Sequence, residues 1–434
     1  MEQSISFSLN YVLKNLENKV LSNGEAQAIL DNRVLTVNHQ GKIIVSIPYF
    51  QILDINDEDY SITLYLYSGE KLVLNQIGYE YENFLRKIYK LRNELLLKYM
   101  LMEEQNIAYA IEANYQYFDE DGDERKGPCE ARVYESALVI LPDKGEPIRI
   151  PLCYIYDTTL EDYTCTIKIE RGQWIKLSQM GEKTDYFKRS LDKSLDDLNL
   201  RAYKLLSELA PGIDHLIILK ASSLLSDGKA ASKTQIQTIS PELWIQLEKR
   251  LKLMGLDEEY RYLTNLSAQT EVWIGVKRGL MGEKSGEYFW FMTPIYDSDP
   301  NKPGNALAVE AASEENSGKA TYFFRIFDRD YYRKGNQHET LRTEIEKFVD
   351  KINQSMIEIN FRREPIYLIE DKLNTPEYEM YLYASNKLSS LKHLRRLYLG
   401  RVLHISFEQW KTSVDDLLTF NTQSIDNEGK WKKG

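Results

Sequence analysis

The residues able to do chemistry in this 434-residue chain are few and widely spaced. Five histidines, His39, His215, His338, His393 and His404, form no pair at a spacing that builds a local metal site, so each reads as a surface or packing residue. The cysteines Cys129, Cys153 and Cys165 are odd in number and lack short spacing. That argues against a disulfide framework and a structural zinc site and points to a reducing compartment. The stretch from Asp119 to Gly127 sets Asp119, Asp121 and Asp123 at the first, third and fifth positions of a calcium loop, with Glu130 at the twelfth. Glu124 stands where such a loop needs glycine, Lys126 follows at the eighth position, and the flanks read as strands, so this is a solvated hairpin loop. Gly279, Gly282 and Gly286 lack the lysine and strand-to-helix context of a phosphate loop and read as a second hairpin loop. Neither a nucleophile elbow nor a paired-histidine zinc motif occurs. No catalytic, cofactor or metal residue is expected.

One local charge anomaly stands out. Lys387, Lys392, Arg395, Arg396 and Arg401 fall within the segment from Lys387 to His404 with no acid among them, on a chain whose formal net charge is -11. The segment reads as a basic helix with Leu388, Leu391 and Leu394 on its buried ridge. Three uses fit it: a solvated face pairing with the chain's own acids, a dock for an acidic protein partner, or a contact with nucleic-acid phosphates. The overall negative charge argues against broad binding to nucleic acid or anionic lipid.

The elements that position these residues begin with a duplication. Residues Ile47 to Ile88 align without a gap on Ile150 to Leu191, about 103 positions later. Identical pairs include Asp54/Asp157, Gly69/Gly172, Gln76/Gln179, Gly78/Gly181 and Phe84/Phe187. Glu58-Asp59-Tyr60 recurs as Glu161-Asp162-Tyr163 and reads as an acidic turn entering a strand, repeated with the domain, in preference to a carboxylate site. Ile62, Leu64 and Leu66 alternate with polar residues, a half-buried strand. Ser68-Gly69 turns the chain, and Leu72 and Leu74 resume the alternation. Phe84, Ile88, Leu91 and Leu95 then repeat at helical spacing, on a helix expected to run to about Glu104.

Each copy thus reads as about seven antiparallel strands and one C-terminal helix. This resembles the pleckstrin-homology-like superfold in its GRAM and bacterial variants. The resemblance rests on Val34 to Ile47 with Ile52 to Ile88, and on Leu138 to Ile150 with Ile155 to Leu191. The shared order is a short strand, a charged turn, Ile-Pro, a strand ending near Asp, an alternating hairpin with Gly, then a helix. It covers about half the chain and implies a fold, not an activity. The same elements also fit another small β-barrel with a helix. In lipid-binding members the first loop carries Lys and Arg. Here Asp119, Glu120, Asp121, Asp123 and Glu124 outweigh Arg125 and Lys126, so phosphoinositide is not an expected ligand.

The fold class expected is α+β. Residues 1–104 and 105–210 form two tandem pleckstrin-homology-like barrels, and 211–255 a helical connector. Residues 256–420 form a third α+β domain, with a diverged third copy one option, ending in helices. Residues 421–434 form a disordered polar tail. The first residues lack the pattern of a signal peptide, and no window reaches the apolar length of a membrane span. The expected function is a cytoplasmic, non-enzymatic scaffold that docks a protein partner. The alternatives are an enzyme with its site in 256–420, or a nucleic-acid-associated or chaperone-like factor using 387–404.

Overall fold

The computed structural model describes residues 5–102, 104, 106–266, 271–278, 287–297, 299, 301–313, 319–334, 338–424 and 430–433. The chain is α+β. It divides into two compact units, the first made of Met1–Ile150 with Tyr154–Asp192, the second of Pro151–Cys153 with Lys193–Gly434. The candidate glycine loop at Gly279, Gly282 and Gly286 lies outside the described residues.

The first unit holds copy 1 and copy 2 as far as Asp192, apart from Pro151–Cys153; the rest of the last helix of copy 2 is counted with the second unit. Copy 1 comprises β1 (Ile5–Lys14), β2 (Val20–Leu30), β3 (Val34–His39), β4 (Lys42–Pro48), β5 (Ile52–Glu58), β6 (Ser61–Leu66), β7 (Lys71–Asn75) and helix α1 (Tyr81–Tyr99). Copy 2 comprises β8 (Tyr109–Phe118), β9 (Glu124–Val133), β10 (Ala137–Pro142), β11 (Ile148–Pro151), β12 (Ile155–Glu161), β13 (Thr164–Ile169), β14 (Trp174–Ser178) and α2 (Thr184–Leu209). Each set of strands forms one seven-stranded antiparallel sheet with matching order, β4-β3-β2-β1-β7-β6-β5 and β11-β10-β9-β8-β14-β13-β12. The repeat therefore reaches from the first strand to the helix. Tyr11 faces Gly24 across β1 and β2, and Tyr115 faces Gly127 across β8 and β9. A one-residue difference between copies lies in the first hairpin, where Leu21 of β2 is an extra, bulged residue opposite Leu13 and Lys14.

The identities of the repeat are explained by backbone as much as by core. Asp59 and Tyr60 form a two-residue turn between Glu58 and Ser61 with φ of 49° and 57°, and Asp162 and Tyr163 form the same turn at 47° and 58°. These are the left-handed conformations of a type I′ hairpin. Gln76/Gln179 and Gly78/Gly181 also keep positive φ in both copies. The Glu-Asp-Tyr triplet is thus a hairpin turn. Within copy 1, alternate residues of the strands, such as Leu9, Leu35, Ile62, Leu64 and Leu72, meet Phe84, Leu85 and Ile88 of α1 in a single core. Each such residue contributes about 1.5–3 kcal/mol when fully buried.

Helix α1 ends at Tyr99, short of the expected Glu104. Leu101 takes φ 61°, its N–H bonds to the Lys98 carbonyl, and the N–H of Met102 bonds to the Leu97 carbonyl. This is a Schellman stop made without glycine. Leu101 and Met102 are buried, which offsets the strained backbone at Leu101 and hides the stop from a search for glycine.

The second unit continues from α2 with α3 (His215–Leu224), β15 (Ala231–Ser232), α4 (Lys233–Ile239), α5 (Pro241–Leu253), α6 (Asp257–Leu266), β16 (Trp273–Arg278), β17 (Glu287–Ile295), β18 (Ala306–Ser313) and β19 (Ala320–Arg325). There follow α7 (Arg329–Arg333), α8 (His338–Glu358), α9 (Glu364–Tyr367), α10 (Glu370–Leu373), α11 (Glu379–Lys387), α12 (Ser389–Leu397), β20 (Tyr398–Leu403) and α13 (Phe407–Gln423). Its six strands lie in the order β15-β16-β17-β18-β19-β20, unlike the order of the copies. On one face Phe289, Phe291, Ala308, Phe323 and Val402 pack with Leu243, Trp244, Leu247, Trp410 and Val414. Residues of 211–255, read as a connector, thus belong to this core. The other face carries Tyr288, Trp290, Tyr322 and Phe324, and α8, α9 and α12 contact that half of the sheet.

Ser240 caps α5 by accepting from the Leu243 N–H, Pro241 opens that helix and Gly255 follows it at φ 71°. In this unit two boundaries differ from the sequence reading. The basic segment 387–404 is not one helix: α11 stops at Lys387, α12 ends at Leu397, and Tyr398–Leu403 is a strand paired with β19. Its Tyr, Leu and Val content suits a strand, but the leucine spacing before it suggested a continued helix. The tail begins later than expected, because α13 runs to Gln423 with Asn421 and Thr422 buried. Asn421 donates to the carbonyls of Gly304 and Asn305, contacts that polarity alone does not announce. Residues 425–429 and 434 lie outside the described residues. Among the described residues no helix is long and apolar enough to cross a membrane.

Candidate functional site

The five cations singled out from the sequence do not share one face. Lys387 closes α11, and Lys392 and Arg396 are exposed on α12. Arg395 points inward and donates to the carbonyls of Pro365 (2.7 Å) and Leu368 (2.9 Å), neutralising the C-terminal end of α9. Its desolvation lowers its pKa. Arg401, on β20, lies with its guanidinium 3.9 Å from the centre of the Tyr367 ring. The signal that separates these roles is strand periodicity: Arg401 shares the sheet face of Tyr322, directly opposite it.

The other sequence candidates resolve locally. The Asp119 carboxylate accepts the N–H groups of Asp121 (3.1 Å) and Asp123 (2.9 Å), while Glu130 sits on β9 in ion pairs with Arg132 and Lys90. The loop is closed by its own backbone, and among the described residues no cluster of three ligands suits a metal. Cys129, Cys153 and Cys165 are free and buried. Burial pushes the Cys129 thiol up to about 12 and the Cys165 thiol up to about 11, so both are poor nucleophiles at neutral pH. His39 packs beside Tyr11 and hydrogen-bonds the Glu25 carbonyl, His215 pairs with the Tyr203 hydroxyl, and His393 lies 3.4 Å from Arg396. The His338 side chain lies outside the described residues.

His404 is the exception. It lies between two carboxylates, Nδ1 at 3.0 Å from Glu259 and Nε2 at 3.0 Å from the fully buried Glu310. Burial opposes its charge, but hydrogen bonds to Glu259 and Glu310 raise its pKa to about 9, so it is an imidazolium at neutral pH. The Thr321 hydroxyl donates to Glu310, and the Trp410 indole N–H donates to Thr321 (2.8 Å). Both ring nitrogens are engaged and protonated, which leaves no basic nitrogen for proton abstraction. The network ties α6, β18, β19 and α13 together. Sequence spacing missed it because Glu259, Glu310 and His404 come from distant elements.

The main surface feature of the first unit is built by the repeat itself. Helix α1 of copy 1 packs on the outer face of β10 in copy 2, where Leu97 and Met102 meet Ala137, Val139 and Leu141. Every residue of β10 is buried, whereas β3, its counterpart, alternates. Arg92 of α1 donates to the carbonyl of Ile52 (3.2 Å) and to Glu146 (3.0 Å). Asn93 donates to the carbonyls of Pro142 (3.3 Å) and Gly145 (3.1 Å). Arg132 of β9 forms a fork with both oxygens of Glu94 and donates to Glu130 (2.7 Å). That hydrogen bond from Arg132 holds the Glu130 carboxyl below its ordinary range, against the effect of burial. Lys144 pairs with Asp57.

Beside this junction lies an open cleft of about 390 Å³ lined by Arg86, Lys90 and Asn93 of α1 with Glu112, Glu130 and Asp143 of copy 2. Its walls carry mixed charge. The outer edges of the two sheets also differ. On β5 the carbonyls of Ile55 and Ile52 accept hydrogen bonds from Tyr89 and Arg92. At the corresponding positions, copy 2 has Asp192 and Leu195, and Asp192 instead accepts from the Thr158 hydroxyl (3.1 Å) and Lys188. On β12 the Tyr156 side chain is exposed. No protein-family profile and no curated protein sequence matches this chain.

Proposed function

We propose that the protein is a cytoplasmic, non-enzymatic interaction scaffold built on tandem pleckstrin-homology-like domains, and that its partner is a protein segment bound in extended form along β12 and the adjoining surface of copy 2. The observation that carries this reading is the asymmetry of the repeat. Copy 1 covers its β5 edge with Arg92 and Tyr89, and those two donors have no counterpart along β12. An edge strand with available backbone groups pairs readily with an incoming strand, and exposed side chains such as Tyr156 add specificity. The strand order, the single C-terminal helix and the hairpin turns shared by both copies support the pleckstrin-homology-like assignment. Joining the copies through Arg92, Asn93 and Arg132 keeps β12 in a fixed setting, which suits a docking platform.

Affinity purification from the native host with the parent chain and with Tyr156→Glu tests this. The expected result is a stoichiometric protein partner on the parent that is lost with the variant, while the variant keeps the parent's melting temperature. Absence of any stoichiometric partner, or equal retention by the variant, overturns the reading.

A further inference from the structure

We propose that the second unit carries a binding site for a phosphate-sized oxyanion, formed by Arg363 and Arg401 with the hydroxyls of Tyr288 and Tyr398. The site lies on the sheet face opposite the His404 network and is independent of the docking edge proposed above.

Its geometry begins with an irregular turn. After α8, Asn360 and Phe361 adopt φ of 51° and 56°, two consecutive left-handed residues without glycine. Such backbone persists where its surroundings fix it and is frequent at binding sites. Here the turn seats the Phe361 ring against Tyr288 and Trp290, each 5.2 Å between ring centres. The next residues bring the Arg363 guanidinium to 5.5 Å from the centre of the Tyr322 ring. Arg401 approaches from β20, directly opposite Tyr322 in the strand register, and lies over Tyr367. The Tyr322 and Tyr367 rings are 6.2 Å apart. Two arginines thus flank one aromatic pair.

Arg401 hydrogen-bonds the Tyr322 hydroxyl, but four polar atoms of this cluster are unsatisfied. Nη1 of Arg363, Nε of Arg401 and the hydroxyls of Tyr288 and Tyr398 are buried and lack a hydrogen-bond partner. Tyr288 is 4% exposed and Tyr398 6%. Burial first of all pushes the Tyr288 hydroxyl up to about 12, so it stays a neutral donor. Among the described residues no carboxylate forms an ion pair with either arginine; burial works against the charge of Arg363, and Tyr288, Tyr322, the exposed Glu364 and Glu310 favour it from beyond contact. Two other cations of the unit are matched by carboxylates: Lys277 pairs with Asp227 at 2.7 Å and His404 with two glutamates. Burial strips these donors of water, and each one left without an acceptor carries a desolvation cost that a bound oxyanion would relieve. Guanidinium groups and phenolic hydroxyls are all donors to oxyanions, and a phosphate offers enough oxygens and charge to satisfy both arginines at once.

The experiment uses the full chain. Thermal melting and calorimetric titration are run with inorganic phosphate, with phenyl phosphate as a monoester, and with sodium chloride at matched ionic strength. The parent is expected to show a saturable rise in melting temperature with phosphate that chloride does not reproduce. Tighter binding of phenyl phosphate than of inorganic phosphate identifies an esterified ligand; the reverse identifies the free ion. Arg363→Gln and Arg401→Gln are each expected to weaken binding at least tenfold. Without phosphate they should remain folded, with melting temperatures close to the parent's. Should either variant fail to fold, Tyr288→Phe, which deletes one unpartnered hydroxyl, is expected to fold and to weaken phosphate binding severalfold. A parent that responds to phosphate no more than to chloride, or variants that bind phosphate as the parent does, overturn the proposal.

Discussion

Copies 1 and 2 of the repeat share strand order, hairpin turns and core, yet their helices do different things. In copy 1, α1 presents Arg92, Asn93 and Glu94 to the next copy; at those positions α2 carries Leu195, Asp196 and Asp197. The receiving surface differs too. β10 reads ALVILP and is buried on both faces, while β3 reads VLTVNH and leaves Val34, Thr36 and Asn38 of its outer face only half-buried. A helix from one copy seated on the sheet of the next is a head-to-tail contact, and such contacts propagate unless something stops them. Here the sequence stops it at both ends: copy 1 offers no second receiving face, and α2 offers no second set of donors. From Lys193 on, α2 is counted with the second unit, and Leu205 and Leu206 lie in that unit's core. Duplicated domains therefore keep their turns and lose their symmetry at the surfaces that decide how many copies assemble.

The largest expected effect follows from breaking that junction. Arg132 is almost fully buried and holds Glu94 and Glu130 together. Arg132→Ala removes the fork to Glu94 and leaves Glu130 with Lys90 alone; losing three charged hydrogen bonds should destabilise the chain by about 3–5 kcal/mol, read from urea unfolding. Loss of less than about 1 kcal/mol would show that the copies associate through Leu97, Val139 and Leu141 alone.

A second comparison separates the units by pH. The Glu130 carboxyl is depressed, so its contribution is present above the ordinary carboxylate pKa and fades as pH falls through its folded value. His404 is raised from 6.5 to about 9, so its contribution is complete below pH 6.5 and disappears as pH rises through about 9. The shift corresponds to roughly 3 kcal/mol. His404→Gln should flatten the alkaline limb of stability between pH 6.5 and 9. It should keep the part of the acid limb set by Glu130 and lose the part owed to Glu259, whose carboxyl, against burial, is held below its ordinary range by the hydrogen bond to His404. An alkaline limb identical in parent and variant would remove His404 from that role.

Converting copy 1 toward copy 2 is the next test. Arg92→Leu installs the residue found in α2 and removes hydrogen bonds to Ile52 and Glu146. The cost should be about 2 kcal/mol, because hydrogen bonds to a charged group are the stronger kind. The change also uncovers the Ile52 carbonyl on the β5 edge. Binding of the β12 partner to a second site on this variant would show that edge coverage alone distinguishes the copies.

Much of this was legible in the sequence, and the reason is local. Hairpin turns, strand alternation and the apolar stripe of each helix are written within a few residues, so the repeated unit and its strand succession follow from spacing. The continuous apolar run of β10 was also a legible sign of a strand covered on both faces. The polar junction was not legible. Arg92 and Asn93 look like surface residues of a helix, and only the docked β9 and β10 make them interior. The same holds for Arg363 and Arg401, which come from a turn and an edge strand and meet across Tyr322. β20 was hidden because its six residues follow a leucine-rich helix without a glycine or proline stop between them.

Turn chemistry gives a symmetric control. Gly69 and Gly172 take φ of 83° and 78° in equivalent turns. Alanine at either should cost about 1–2 kcal/mol for the left-handed backbone. Added atoms at Gly69 would meet the Leu16 side chain at 2.0 Å, while those at Gly172 meet nothing within 4 Å. Leu16 is exposed and can swing aside, so the two costs should agree within about 0.5 kcal/mol. A much larger loss for Gly69→Ala would mean that Leu16 is held in place.

The smallest effect concerns the turn tyrosines. A type I′ hairpin favours glycine at its second position, and both copies place tyrosine there, at Tyr60 and Tyr163. Glycine relieves the left-handed strain, so Tyr163→Gly should stabilise the chain by about 0.5–1 kcal/mol. In copy 1 the same change carries an opposing term. Tyr60 lies edge-on to Tyr81 with ring centres 5.5 Å apart, a contact worth about 0.5–1.5 kcal/mol. The counterpart of Tyr81 is Thr184, and among the described residues no ring packs on Tyr163. Tyr60→Gly should therefore be neutral or slightly destabilising while Tyr163→Gly stabilises. The difference between their urea midpoints isolates the aromatic contact from the turn. Equal shifts in both copies would show that Tyr60 and Tyr81 do not interact in solution, and that the turn alone sets the energy at both sites.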